Sequence, residues 1–249
     1  MASIFGLRWP EVQIVDIKIK GNSTVSAQEI TAEIKPLIAG YYAFIIPKTS
    51  IFLYPRENIK QVLLDEFGYL ATVDMQIKSF SVLEVLVSER TPKYVWCQNK
   101  EETNCFLADE EGFIFSAVNS KVDAGPLFKI IGTGKSELWK VYSYPIGKIN
   151  FKQTKSFLDL IPKVVPTELG SRLQVQAVVL APADDLIFKV TDKTNNSVYT
   201  WDLLISKRSE LDSVVRHLEA VFSSSSFKKE LTTGERLEYV DFRFGQKVF

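Results

Sequence analysis

The hydrophobic period of this chain changes near residue 90, and that change limits the folds open to it. Before it, two apolar stripes of helical spacing lie between strand-like runs. Residues 12–20 carry apolar side chains at 12, 14, 15, 17 and 19, mostly every second position, which predicts a strand ended by Gly21-Asn22. Ser26 with Glu29 three residues on forms a capping-box pattern. Ile30, Ile34, Leu37 and Ile38 line one face of the helix that follows, and Gly40 stops it. Residues 41–54 are aromatic and irregular, which predicts a packed loop. Pro55 opens a second helix, striped by Ile59, Leu63, Leu64 and Phe67 and ended by Gly68. Strands are expected around 70–80 and 82–89. The order β-α-α-β-β fills about 80 residues, a size that can hold its own core.

Past Thr91-Pro92 the pattern turns to short strands and turns. Residues 93–98 and 105–108 are strand-like, Asp109-Glu110-Glu111-Gly112 predicts a turn, and strands follow at 113–118 and 127–131. Residues 151–165 have helical spacing through Phe157, Leu158 and Ile161, with Pro162 and Pro166 breaking the end. A meander is expected at 173–180, 186–191 and 198–205, with Asn195-Asn196 as one turn. A second helix at 209–222 is striped by Leu211, Val214, Val215, Leu218, Val221 and Phe222. Four serines then predict a loop, and 237–249 a last strand. The fold class expected is α+β: a β-α-α-β-β domain over 12–90, then a strand-rich β domain with two helices over 91–249.

Residues 1–11 stand apart. The apolar, aromatic stretch Ile4-Phe5-Gly6-Leu7-Arg8-Trp9-Pro10 reads either as a floppy leader or as the stump beside a membrane anchor, because Trp and Arg favour the membrane interface. No apolar run approaches the roughly 18 residues that a membrane helix needs.

The charge balance narrows function. Thirty basic residues face thirty acidic ones in 249, and neither half is a polycation, which argues against a dedicated nucleic-acid binder. One histidine, two cysteines and two methionines leave little material for metal or imidazole chemistry. The expectation is a non-enzyme without cofactor or metal. Gly132-Thr133-Gly134-Lys135-Ser136 lacks the glycine five positions before the Gly-Lys pair that a phosphate loop needs, since position 129 is Lys. His217 falls on the polar side of its helix, and no Gly-x-Ser-x-Gly elbow accompanies it. The acidic clusters Glu101-Glu102, Asp109-Glu110-Glu111 and Asp184-Asp185 coincide with turn signals and read as solvated turns. Asn22-Ser23-Thr24 and Asn195-Asn196-Ser197 match the glycosylation pattern, yet both are ordinary turn sequences. Cys97 and Cys105 flank a seven-residue polar segment. If the strands around them pair as a hairpin, the spacing favours a disulfide over two unrelated buried thiols, and a bridge implies an oxidising compartment.

Four segments resemble one known family. Val87-Ser88-Glu89-Arg90-Thr91-Pro92-Lys93-Tyr94-Val95-Trp96 is similar to the "V-x-E-R-x-P" junction of FtsQ/DivIB-type bacterial cell-division proteins. Leu107-Ala108-Asp109-Glu110-Glu111-Gly112-Phe113-Ile114-Phe115 resembles that family's "L-V-D-x-x-G-x-x-F" hairpin. Pro126-Leu127-Phe128-Lys129-Ile130-Ile131-Gly132 resembles its "L-P-x-I-x-G" strand, and Leu237-Glu238-Tyr239-Val240-Asp241-Phe242-Arg243-Phe244 its closing "V-D-L-R-Y/F" strand. The element order over 12–90 looks like a POTRA domain. Residues 192–203 depart from the family in lacking a compact glycine turn.

The resemblance implies a bitopic membrane protein whose extracytoplasmic part scaffolds the divisome. Its POTRA domain would help recruitment, and its β domain would bind FtsB/FtsL-like or DivIC-like partners. The membrane link would run through an N-terminal helix absent from this sequence. By the same match, a partner strand adds beside an edge strand carrying Tyr239, Asp241, Phe242, Arg243, Phe244, Gly245, Lys247 and Val248. Arg243 would bond a partner carboxylate, and Phe244 would serve as an apolar anchor. The alternatives are a POTRA-bearing outer-membrane assembly or translocation protein, and a secreted hydrolase built around His217.

Overall fold

The computed structural model describes residues 9–79, 81–98, 104–118, 127–132, 141–146, 148–164, 173–181, 185–194, 197–233 and 237–243. It is mixed α+β and strand-rich, and the chain divides into two compact units between Thr91 and Pro92.

The amino-terminal unit runs β1 (Asp16–Lys20), α1 (Ala27–Ile38), the two-residue strands β2 (Tyr41–Tyr42) and β3 (Ile46–Pro47), α2 (Arg56–Glu66), β4 (Leu70–Ser79) and β5 (Val82–Glu89). The sheet order is β1-β5-β4, with β1 parallel and β4 antiparallel to the central strand. The capping box forms: Glu29 N–H donates to Ser26 Oγ at 3.2 Å and Ser26 N–H to Glu29 Oε2 at 3.0 Å, a motif worth about 1 kcal/mol. Ile30, Ile34 and Ile38 then bury one helix face against Ile59 and Leu63 of α2 and Leu83, Val85 and Val87 of β5.

Two expectations fail here. The first strand starts at Asp16 rather than 12, because Pro10 fixes a 3-10 turn over Pro10–Val12. The next residues pair elsewhere: Ile14 N–H donates to Thr49 O and Ile51 N–H to Val12 O. Segment 41–54 packs only in part: Ser50 is buried and Ile51 and Tyr54 pack on the core, but Tyr41, Tyr42, Phe44, Ile45, Phe52 and Leu53 are exposed. Helix α1 spends its apolar stripe on the core, and the two-residue hairpin is too short to fold its aromatics back.

On the face of this sheet opposite Leu83 and Val85, one buried carboxylate collects three partners. Glu84, its side chain 3% exposed, lies 2.7 Å from Lys20 Nζ and 3.2 Å from Lys78 Nζ, and accepts from Gln76 Nε2 at 2.7 Å. The Lys20 bond, then the Gln76 bond, outweigh burial and hold its carboxyl at about 2. Glu89, at the end of β5, accepts the N–H groups of Ser23, Thr24 and Val25 at 2.8–3.0 Å. Burial opposes its charge, but those three donors prevail and lower its pKa. They clamp the turn that leads into α1. Gly21 precedes this turn at φ +86°, where a Cβ would stand 2.1 Å from Val87 O.

The carboxy-terminal unit comprises β6 (Tyr94–Cys97), β7 (Cys105–Ala108), β8 (Ile114–Ala117), β9 (Phe128–Gly132), α3 (Lys148–Val164), β10 (Leu173–Ala181), β11 (Asp185–Thr194), β12 (Ser197–Ser206), α4 (Leu211–Ser223), α5 (Ser225–Thr233) and β13 (Tyr239–Asp241). Its eight strands form one sheet in the order β13-β12-β11-β10-β9-β6-β7-β8. The pairs β6–β9, β9–β10 and β12–β13 are parallel, and the others antiparallel. One face of the sheet carries Trp96, Ile130, Val178, Phe188, Trp201 and Leu203, which form a single core with Phe157 and Ile161 of α3 and Leu218 and Phe222 of α4.

Helix α5 stands where the serine run predicts a loop. Ser224 closes α4 by donating to Val221 O at 2.8 Å, and its Oγ also accepts Phe227 N–H at 3.2 Å. The serine is therefore an N-cap joining two helices. Phe227, 5.3 Å from the Phe222 ring and 6.5 Å from Trp201, docks the added helix. Helix α3 starts at Lys148, earlier than expected, and continues past position 162 to Val164.

Cys97 and Cys105 face each other in the β6–β7 register and are joined by a disulfide, with Cα atoms 4.1 Å apart. Closing so short a loop stabilises by about 2.5 kcal/mol in the chain-entropy account. The acidic turn after β7 is not simply solvated. Asp109 is buried and accepts the N–H groups of Glu111 at 3.1 Å and Phe113 at 2.9 Å. Gly112 sits at φ +77°, where a Cβ would fall 2.5 Å from the Phe151 ring. The Asp-x-x-Gly spacing is thus a turn that caps itself and lets an aromatic lie on the glycine. Glu101-Glu102, Asp184, Asn195-Asn196 and residues 133–136 of the glycine loop lie outside the described residues.

Two measurements follow. Gly112→Ala should destabilise the protein by about 2–5 kcal/mol, from backbone strain and overlap with Phe151, read as a lower urea midpoint. Glu84 has a depressed folded pKa, so its stabilisation is complete above its ordinary value of 4.5 and is lost as pH falls toward about 2. Unfolding free energy measured across that window should fall less steeply in Glu84→Gln than in wild type.

Candidate functional site

A sheet of eight strands has two edges, and here they differ. At β8, Ile114 N–H donates to Ser143 O at 2.9 Å and Tyr142 N–H to Ile114 O at 2.7 Å, so a segment beyond the sheet already occupies that side. At the other end stands β13, and no strand among the described residues pairs with its outer side.

Apolar burial holds β13 in place. Val240 and Phe242 enter the core beside Leu203 and Val214. Asp202 N–H donates to Glu238 O at 3.0 Å and Phe242 N–H to Leu204 O at 2.9 Å. In a parallel pair, alternate residues turn their backbone groups to the neighbour. Glu238, Val240 and Phe242 therefore face β12, while the backbone groups of Tyr239 and Asp241 face outward. The Tyr239 side chain is 50% exposed.

On the sheet face opposite the core, three charged side chains lock the strand's end. Arg243 Nη2 donates to Asp241 Oδ2 at 2.6 Å, its Nε to Asp241 Oδ1 at 3.0 Å, and its Nη1 to Asp185 Oδ2 at 2.9 Å. Asp241 also accepts the Arg243 backbone N–H at 2.9 Å. The guanidinium bonds outweigh burial and keep the Asp241 carboxyl below its ordinary range, while both carboxylates raise the Arg243 pKa. Next to them Lys189 and Asp202, opposite each other in register, pair at 2.6 Å.

The residues singled out from sequence therefore separate. Tyr239 lies on the edge strand that no described strand covers. Asp241 is a buried, paired carboxylate, Phe242 is core, and Arg243 is engaged by carboxylates of its own chain. Phe244, Gly245, Lys247 and Val248 lie outside the described residues. Cys97 and Cys105 belong to the far half of the sheet. Sequence reasoning missed Asp185, 58 positions from Arg243, which it read as part of a solvated turn; no local signal links the two.

His217 lines a cavity of about 210 Å³ with Ser209, Glu210, Ser213, Val214 and Phe242. No hydrogen bond among the described residues joins its imidazole to either serine. No cluster of three or more His, Cys, Asp or Glu suited to a metal occurs among the described residues, and no helix there is long and apolar enough to cross a membrane.

The ion-pair cluster makes a prediction of its own. Arg243→Ala leaves Asp241 buried without its counter-charge and should cost about 1–3 kcal/mol in urea unfolding. Adding Asp241→Asn should recover part of that loss.

Compared with known proteins, the chain matches no family model and no curated protein.

Proposed function

We propose that this chain is a non-enzymatic scaffold of the bacterial divisome, of the FtsQ/DivIB type, acting in septum formation. An FtsB/FtsL-like or DivIC-like partner adds a strand to β13. In this reading the amino-terminal unit is a POTRA-like recruitment domain, and the described segment is the extracytoplasmic part of a single-pass protein of the bacterial cell membrane. The observation that carries the reading is that no strand among the described residues covers the outer side of β13, at the point where the closing "V-D-F-R-F" segment falls. The other three motif segments also coincide with structural devices. Glu89 of the first clamps the turn before α1, Asp109 and Gly112 of the second build a self-capped hairpin, and Ile130 of the third lies in the sheet centre. A strand beside β13 would meet the outward N–H and C=O groups of Tyr239 and Asp241, so backbone bonds supply affinity and the Tyr239 side chain contributes selectivity.

The test uses this geometry. Proline at 239 removes an outward N–H and none of the bonds to β12, so Tyr239→Pro should keep the fold by circular dichroism. Its affinity for the extracytoplasmic segment of an FtsB-type protein should fall about tenfold or more, the equivalent of one or two backbone bonds. Phe244→Ala should cost about 2 kcal/mol in the same titration as the loss of an apolar anchor. Unchanged binding by both folded variants would remove β13 as the partner site.

A further inference from the structure

The most exposed large apolar side chain among the described residues is Phe44, at 96%. It sits at the tip of the β2–β3 hairpin. Ile45 N–H donates to Tyr42 O at 3.0 Å, which closes a turn whose central residues, Ala43 and Phe44, have φ of +45° and +62°. Two central residues at positive φ are the signature of a turn that favours Asn-Gly, because side chains with a Cβ are strained there. This turn carries Ala-Phe instead. Local stability is given up to hold an aromatic ring in solvent.

The surroundings repeat the pattern. Tyr41, Tyr42, Ile45, Phe52 and Leu53 are exposed in the same stretch of chain. That stretch is stitched to the segment following the exposed Trp9, through the bonds from Ile14 to Thr49 and from Ile51 to Val12. From Ala39 to Pro55 there is no acidic residue, and the one charge is Lys48, whose ammonium lies 5.6 Å from the Tyr42 ring centre. A soluble surface rarely gathers this much apolar area without a use for it.

We propose that the hairpin of β2 and β3, with Phe52 and Leu53, docks on a lipid surface, seating its aromatic tip among the headgroups of an anionic bilayer. Three observations favour lipid over a protein partner. Phe44 projects into solvent from the turn of a hairpin. The paired strands are two residues long, too short to template an added strand. From Ala39 to Pro55 the mixture of Tyr and Phe with one lysine and no carboxylate is a composition that suits the membrane interface, where rings lie at headgroup depth and a cation meets anionic lipid. This goes beyond the divisome reading and does not rest on it, since the test contains no division partner.

The experiment is co-flotation of the full chain with vesicles of phosphatidylethanolamine and phosphatidylglycerol, compared with phosphatidylcholine alone. Wild type should float with the anionic vesicles, less with the neutral ones, and less at high salt. Phe44→Gly separates docking from a structural role, because glycine relieves the positive φ. The variant should melt no lower than wild type, yet its vesicle partition should fall about tenfold, as expected for losing one inserted phenyl side chain. Phe52→Ser should reduce partition similarly, and Val198→Ser, at an exposed apolar position of the other unit, should leave it unchanged. Failure of wild type to float, or flotation of Phe44→Gly equal to wild type, overturns the proposal. So does sedimentation showing that wild type self-associates and Phe44→Gly does not, which assigns the patch to a second copy of the chain.

Discussion

Phe151 stands 5.7 Å from the Tyr94 ring and 5.9 Å from the Trp96 ring, and its ring fills the space a Cβ at Gly112 would need. That side chain, together with Lys155 paired to Glu110 at 3.3 Å, fastens helix α3 to β6 and to the turn between β7 and β8. The rest of the carboxy-terminal unit builds outward from there. Helix α3 is the crossover between β9 and β10, which lets those two strands lie parallel, and the antiparallel run β10-β11-β12 extends the sheet toward β13. The arrangement needs a glycine at one position and a large ring at another, which ties a turn motif to a helix almost forty residues away.

The amino-terminal unit solves a different problem, with one sheet face buried under two helices and the other left to polar groups. Glu84 sits in the central strand between Lys18 and Gln76 in register, and it gathers a lysine from each flanking strand. A carboxylate this buried is tolerable only with its lone pairs filled, and each partner comes from a different part of the sheet. Glu89, five residues on, does similar work for the backbone, converting three N–H groups of a turn into a fixed entry to α1.

Local devices were legible in the sequence, and distant ones were not. Ser26 and Glu29 announce their helix because both halves of the cap lie within one turn of chain. The period of two from Leu70 to Glu89 and the Asp109–Gly112 turn are readable for the same reason. The parallel pairing of β9 with β6 and β10, and the meeting of Arg243 with Asp185, depend on chain closure over tens of residues and leave no local trace. Helix α5 was hidden because serine signals both a loop and a cap, and only Phe227 meeting Phe222 and Trp201 decides between them. The aromatics of 41–54 misled for the opposite reason. Their composition matches a core, and nothing in spacing alone says that the core is already full. At the candidate edge, the motif marked a closing strand, but the burial of Phe242 and the partner of Arg243 had to come from the fold.

The brevity of β13 has a consequence for how the unit is made. Strand β12 is ten residues long, and its outer flank is covered at Asp202, Leu203 and Leu204 by a three-residue strand that arrives only after two helices. During synthesis, a chain that has emerged through residue 233 already owns β12 and both helices but lacks its cover. A chain in that state carries a long, unpaired flank and an empty notch where Val240 and Phe242 belong, a geometry prone to mispairing with other chains. The outermost described strand thus closes the unit: until Val240 and Phe242 are seated, the flank of β12 stays unpaired and the core stays open at that end.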